Sequence, residues 1–431
     1  MTLPTELILT GPSPLRGRLR LPGDKGISHR ALLFAAFAEG PSRLVGLADG
    51  DDVHRTRRAL EHLGVRARPG PEGVVVHGAG ARLREPDRVI ECENSGTTIR
   101  MLAGLLAAQP FLTVLTGDAS LSTRPMGRVV EPLRAMGAQI DGRDGGTRAP
   151  LSIRGGPLRG TRCELAAASG QVKTALALAG LQADGTTEVV EPRPSRDHTE
   201  RMLGALGAPI EQVDDRTLRI RRGPVVAFEL DVPGDPSSAA FFAVAATITP
   251  GSSIVLEHVS LNPGRLGFVD VLRRMGADLE VRPTAEQLGE PVGDLAVRAA
   301  PLAATTIVPE EAWIDELPAL AVAAAFAEGV TDIRDAAELR VKESDRIGTL
   351  EQELAQLGVA VESRADGLTI RGGRPRAALL KSHGDHRIAM AAAVAAVACG
   401  GDTTIRGWRA VTSSYPGFAA DLAHLTGGGG T

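Results

Sequence analysis

The chain has 431 residues, 43% of them hydrophobic and 23% charged, a globular balance too long for one ordinary core and suited to two domains or several stacked units. Its 48 basic and 52 acidic residues leave a net charge of −4, so no global positive field attracts polyanions. The 3% aromatic content argues against the stacking platforms of single-stranded nucleic-acid binding, and a small, highly charged ligand fits better.

No apolar run approaches the roughly 18 residues of a membrane span, and the N-terminus shows no basic segment followed by an apolar one. A cytoplasmic protein with no membrane partner is therefore expected. Cys92, Cys163 and Cys399 are scattered without a CxxC pair, which predicts buried free thiols. The histidines form no HExxH, and His383 and His386 in SHGDHR lack metal-site helix chemistry. No metal and no cofactor is expected.

In chain order, a helix-ending pattern recurs: two large apolar residues three apart, then glycine. It occurs at Leu60/Leu63/Gly64, Leu133/Met136/Gly137, Leu203/Leu206/Gly207, Leu272/Met275/Gly276 and Leu354/Leu357/Gly358, with a worn copy at Leu422/Leu425/Gly427. The copies lie roughly 70 to 80 residues apart, a period that signals a repeat architecture. Each glycine is the expected left-handed cap between a helix and a following strand. Paired alternating runs follow it, as in VRARPG/GVVVHG and VAVESRADGLTIRGG. Between copies runs a second, Ala-rich helix: IRMLAGLLAA, VKTALALAGLQA, SSAAFFAVAATI, LPALAVAAAFAEG and HRIAMAAAVAAVACGG. Apolar nearly all round, these helices belong at the centre of each domain, with the amphipathic helices outside.

A longer echo joins LPGDKGISHRALLFAAFAEG at 21–40 to VPGDPSSAAFFAVAATI at 232–248, each reading strand, Pro-Gly-Asp turn, helix. Two such points half a chain apart predict an α/β protein of two three-repeat domains, one spanning 21–233 and the other 1–20 plus 234–431. The chain crosses between them at 21–24 and 232–236, and the cleft between domains is the default ligand site.

No Walker loop and no Rossmann GxGxxG is found, which disfavours nucleotide hydrolysis and hydride transfer. Instead Arg, Lys, Ser and Asn recur at predicted helix starts: PGDKGISHR, ENSGTTIR, LSTRPMGR, ASGQVK, PSRDH, VKESDR and GDHR. Helix N-termini offer free N–H groups and a positive dipole end to phosphates and carboxylates. A Ser or Asn there is an ordinary cap, but a cation opposes the dipole, so a shared anionic site explains the clusters together.

These residues, with GDASLSTRPMGRVVEPLRAMGA, SRDHTERML, PGDPSSAAFF, IDELPALAVAAAFAEG and ELRVKESDRI, resemble in order the signatures of the 5-enolpyruvylshikimate-3-phosphate synthase family over nearly the whole chain. The resemblance implies the two-domain enolpyruvyl transferase architecture of six βαβαββ repeats. It also implies transfer of the enolpyruvyl group of phosphoenolpyruvate to the 5-hydroxyl of shikimate 3-phosphate; a monomer that binds these small molecules and no nucleic acid is expected. Lys25, Gly26 and Arg30 would meet shikimate 3-phosphate, with Ser169, Gln171 and Ser195 at its phosphate region and Asp315 and Lys342 on its ring hydroxyls. Phosphoenolpyruvate would lie against Lys25, Asn94, the Gly96 backbone, Arg124, Gln171, Arg346 and Arg387.

The chemistry needs a base for the hydroxyl and an acid for C3, then the reverse on elimination. Asp315 is assigned as base, Glu343 to proton traffic at C3, and Lys25 to the leaving phosphate. In the plainer reading of the residues, Asp315 only caps its helix and Glu343 only pairs with Arg346 three residues on. Four positions depart from the family pattern: Gly26 in place of a serine, Glu93 in place of a glycine, Ser122 in place of a basic residue and Ser413 in place of a lysine found in some members. Rival readings are an enolpyruvyl transferase acting on UDP-N-acetylglucosamine, whose loop cysteine LTGDASLSTR lacks, a paralogue acting on another phosphorylated cyclitol, and a non-catalytic binder on the same fold.

Overall fold

The computed structural model describes residues 3–70, 73–80 and 82–427. The chain divides into two units, one of residues 1–22, 233–285 and 291–431, the other of residues 23–232 with the hairpin tip 286–290. Each is built around three buried helices. In the second unit these are α1 (Lys25–Phe37), α2 (Gly96–Leu106) and α3 (Gly170–Gly180). In the first they are α4 (Pro236–Ile248), α5 (Leu317–Phe326) and α6 (His386–Ala398).

The Ala-rich composition follows from how closely these helices pack. A Cβ added at Gly104 of α2 would stand 2.0 Å from the Ala175 carbonyl oxygen of α3, so backbone touches backbone and only glycine fits there. Amphipathic helices such as Asp51–His62 and Gly267–Arg274 bury one face outside this core, as expected of the alternate helix in each repeat.

The recurring leucine and glycine have a common explanation. Gly64, Gly137, Gly207, Gly276, Gly358 and Gly427 all take left-handed φ, between 69° and 105°. In the first five copies the residue after the glycine donates its N–H to the leucine that opens the pattern: Val65 to Leu60, Ala138 to Leu133, Ala208 to Leu203, Ala277 to Leu272 and Val359 to Leu354, at 2.9–3.1 Å. This is the Schellman closure, which turns the chain from helix to hairpin at the same step of every repeat.

Among the described residues, five sheets have four strands and one has three. Ile90–Glu91 runs parallel to Leu112–Thr116 across α2, and Arg162–Glu164 parallel to Thr186–Val190 across α3. With the antiparallel hairpin that closes each sheet, this gives the βαβαββ order implied by the resemblance. At the Pro-Gly-Asp turns the strands are exchanged. Arg16–Arg20 leads into α1 but pairs with Ser253–Glu257, whereas Glu229–Asp231 leads into α4 but pairs with Arg43–Val45. The sixth sheet, Leu379–Lys381 beside Gly401–Arg406, is completed by Glu6–Gly11. The cysteines are buried and free, as expected.

Candidate active site

Each motif singled out for its polar start lies at or just before the first turn of a helix. Within the second unit they form a connected group. Asp24 caps α1 by accepting from the Ile27 N–H, and Lys25 beyond it donates to Asp52 at 3.0 Å. Arg30, one turn on, is 2% exposed. Its Nε donates to Thr199 Oγ1, Nη1 to the Gly26 carbonyl and Nη2 to the Gly170 carbonyl, each at 2.9 Å. Burial brings this guanidinium down to about 10, still charged at neutral pH. Arg30 therefore ties the starts of α1 and α3 together, with a second hydrogen on each terminal nitrogen remaining.

At the start of α2, Ser95 accepts from the Thr98 N–H, and Asn94 is held between Arg124 and Asp118. Gly96 faces two guanidinium groups: a Cβ there would lie 3.1 Å from Arg100 Nη1 and 3.4 Å from Arg124 Nη1. Gln171 at the start of α3 accepts from Arg100 at 2.8 Å and donates to Thr97 at 2.9 Å. Arg100 received no role from the sequence, although its place in GTTIR, a cation in the first turns of a buried helix, was the available signal. Ser195 Oγ is buried and has no hydrogen-bond partner among the described residues.

The departures at 26 and 93 have local explanations. Glu93 holds a left-handed φ of 45°, where glycine is the unstrained choice, and its carboxylate pairs with Arg55. Beside Gly26, a Cβ would be 3.3 Å from Arg30 Nη1 and 3.8 Å from His198 Cδ2. His198 itself shares a buried 2.7 Å hydrogen bond with Glu290. Ligating atoms of Asp197, His198 and Glu290 lie within 4.8 Å of one another, and Asp197 also accepts from Arg201 at 2.6 Å.

In the first unit Arg346 is the hub. Only 1% of its side chain is exposed, and it donates from Nε to Asp385 at 2.8 Å, from Nη1 to Asp315 at 2.9 Å and from Nη2 to Glu343 at 2.7 Å. Burial alone lowers this guanidinium, but the charges of Asp385, Glu343 and Asp315 more than reverse that and raise it. Lys342 Nζ and Arg387 Nη2 lie 3.6 and 3.9 Å from Asp315, and Arg387 Nη1 also donates to the Asp315 carbonyl at 2.9 Å. Asp385 caps α6 through the Arg387 N–H. No role was assigned to it from the sequence. The pairing of Glu343 with Arg346 anticipated by the plainer reading is present.

Carboxyl groups held on a shared guanidinium, together with buried helix starts that present hydroxyl and guanidinium donors, sit on the fold of the enolpyruvyl transferases. One such enzyme, from Streptomyces tendae, superposes with a TM-score of 0.77 at 21% identity over 98% of this chain and 97% of its own. The chain belongs to the EPSP synthase (3-phosphoshikimate 1-carboxyvinyltransferase) family, whose model matches residues 9–422. It is 51% identical over 415 residues to the 3-phosphoshikimate 1-carboxyvinyltransferase of Thermus thermophilus, covering 96% of this chain and 97% of that protein. The protein of that name from a Synechococcus strain is 50% identical over 428 residues, covering 97% and 96%. An EPSP synthase structure from Acinetobacter baumannii matches with a TM-score of 0.87 at 42% identity, covering 97% of each chain.

Proposed function

We propose that this chain transfers the enolpyruvyl group of phosphoenolpyruvate to the 5-hydroxyl of shikimate 3-phosphate and releases phosphate, with the residues named above in these roles. The observation that carries the assignment is Arg346, whose single guanidinium fixes Asp315 and Glu343 in relation to each other. Asp315 takes the proton of the 5-hydroxyl as the oxygen bonds to C2, and Glu343 delivers a proton to C3. In the second step the C2–O bond to phosphate breaks, C3 returns its proton to Glu343, the proton taken by Asp315 passes to the departing phosphate, and Lys25 stabilises its charge. Lys25, Asn94, Gly96, Arg124, Gln171 and Arg387 hold phosphoenolpyruvate. Gly26, Arg30, Ser169, Gln171, Ser195 and Lys342 hold the acceptor. Arg346 orients these carboxylates and, as the resemblance implies, also meets phosphoenolpyruvate. In this reading the chain works as a cytoplasmic monomer, which size exclusion with light scattering tests.

The direct test is phosphate release from phosphoenolpyruvate against a panel of acceptors. Release is expected only with shikimate 3-phosphate, without added metal. An equal rate with plain shikimate, or loss of activity to a chelator, overturns the reading.

Two side chains report on the acceptor. A hydrogen bond to a charged group contributes about 1.5–3 kcal/mol, so Ser195→Ala is expected to raise KM for shikimate 3-phosphate roughly tenfold or more and to leave KM for phosphoenolpyruvate unchanged. Gly26→Ser places a hydroxyl beside Arg30 and His198 and is expected to tighten acceptor binding about tenfold. Weaker binding in the serine variant would mean that the glycine makes room for a bulkier acceptor.

A further inference from the structure

Behind the start of α3 lies a set of buried charges that the mechanism does not use. Lys173, in the first turn of α3 and 3% exposed, donates to Glu191 at 2.9 Å and to Glu200 at 2.6 Å. Glu191 is 2% exposed, and its other oxygen accepts the backbone N–H of Ser169 at 3.1 Å. Ser169 is the residue whose hydroxyl caps α3. The second oxygen of Glu200 is buried with no hydrogen-bond partner among the described residues. Thr199, next to Glu200 in the chain, receives the Arg30 Nε and shares a 2.7 Å hydrogen bond with Thr174 of α3.

Two carboxylates and one ammonium leave this cluster with a formal charge of −1 when all are ionised. A buried charge is expensive unless compensated, and here the excess sits behind a helix N-terminus, the part of the molecule best suited to an anion. Glu191 already occupies an N–H that α3 would otherwise offer a ligand. Arg30, alongside, brings the local sum to zero.

We propose that Lys173, Glu191 and Glu200 are positioning residues that set the phosphate affinity of the α3 start, Lys173 offsetting carboxylates that otherwise repel the acceptor's phosphate. The ionisation of the cluster accords with this. Burial pulls the Lys173 ammonium down, but Glu200 and Glu191 more than reverse it. Burial pushes Glu200 up, and Lys173 reverses only part of that. The proposal rests on the placement of the acceptor's phosphate at Ser169, Gln171 and Ser195.

The test uses the full chain. Glu200→Gln keeps the shape and removes the excess negative charge, so KM for shikimate 3-phosphate is expected to fall about threefold to tenfold. KM for phosphoenolpyruvate and turnover should stay within about twofold. Lys173→Met is expected to raise the acceptor KM at least tenfold, and adding Glu200→Gln should bring it back toward the parent value. A scaffold role without electrostatics predicts the opposite sign for Glu200→Gln and an accumulating loss in the double variant. Weaker acceptor binding in Glu200→Gln therefore overturns the proposal, and that variant decides the matter even if Lys173→Met does not fold. Ser195→Ala separates the two layers. If it leaves the acceptor KM unchanged, the phosphate placement fails and the proposal falls with it. If it weakens binding while Glu200→Gln does not tighten it, the charge balance alone is wrong.

Discussion

Asp315→Asn is expected to lower turnover by about 10² to 10⁴-fold, the scale of a lost general base, with both KM values within a few-fold of the parent. The amide keeps an oxygen able to accept from Arg346 Nη1, now 2.9 Å from Asp315, so the geometry persists while the proton acceptor is gone. Glu343→Gln is the companion. It likewise retains an acceptor for Arg346 Nη2 and should lose at least 10²-fold in turnover. The two differ in what they do to C3. If Glu343 moves that proton, Glu343→Gln should also abolish exchange of the vinyl hydrogens with deuterated solvent at equilibrium. Unchanged turnover in either variant returns that carboxylate to a purely structural pairing with Arg346.

The second large effect is on stability. Arg346→Met removes the cation shared by Asp315, Glu343 and Asp385, and leaving buried carboxylates without their partner costs about 3–5 kcal/mol. A fall in thermal midpoint on the order of 10 °C follows for a unit of this size. The sign of the pH dependence is diagnostic. In the parent, burial pushes Asp385 up, but Arg346 more than reverses it and holds the carboxyl below its usual 3.8. That contribution is present above the unfolded-state pKa and is lost as pH falls through the still lower folded value. Without Arg346, burial and the neighbouring Glu343 raise Asp385, so stability is lost as pH rises through the new folded value. The variant should therefore be more stable at pH 5 than at pH 8, opposite to the parent's acid limb. A variant that melts at the parent temperature, or that weakens on acidification between those values, contradicts the hub.

What could be read from the sequence was local. The leucine and glycine pattern was legible because the Schellman closure lies within six residues, as in Leu60 to Val65. The Ala-rich runs were legible as core because they are apolar on every face. The cations at helix starts were conspicuous for opposing the dipole, but their partners were not visible. Lys25 finds Asp52, Lys173 finds Glu191, and Arg346 finds Asp385, pairings made by tertiary packing across tens of residues. Arg30 and Arg346 received ligand contacts from the resemblance alone, and the protein acceptors that engage their guanidinium groups could not be read from the sequence. The strand exchange at the Pro-Gly-Asp turns was legible only as a crossing between domains, since a turn motif does not specify which strand its incoming strand will pair with.

That exchange, with the strand that completes the sixth sheet, has a consequence for folding during synthesis. The unit of residues 23–232 has nearly all its strands and helices once Glu229–Asp231 has been made. The first strands of the chain must wait much longer. Arg16–Arg20 has no partner until Ser253–Glu257 emerges, and Glu6–Gly11 none until Gly401–Arg406. At about 5–20 residues per second the second interval is roughly 20 to 80 s. Throughout it, the segment ELILTG is an unpaired strand edge, Ile8 included, and for the later part of it the chain's other half is already assembled.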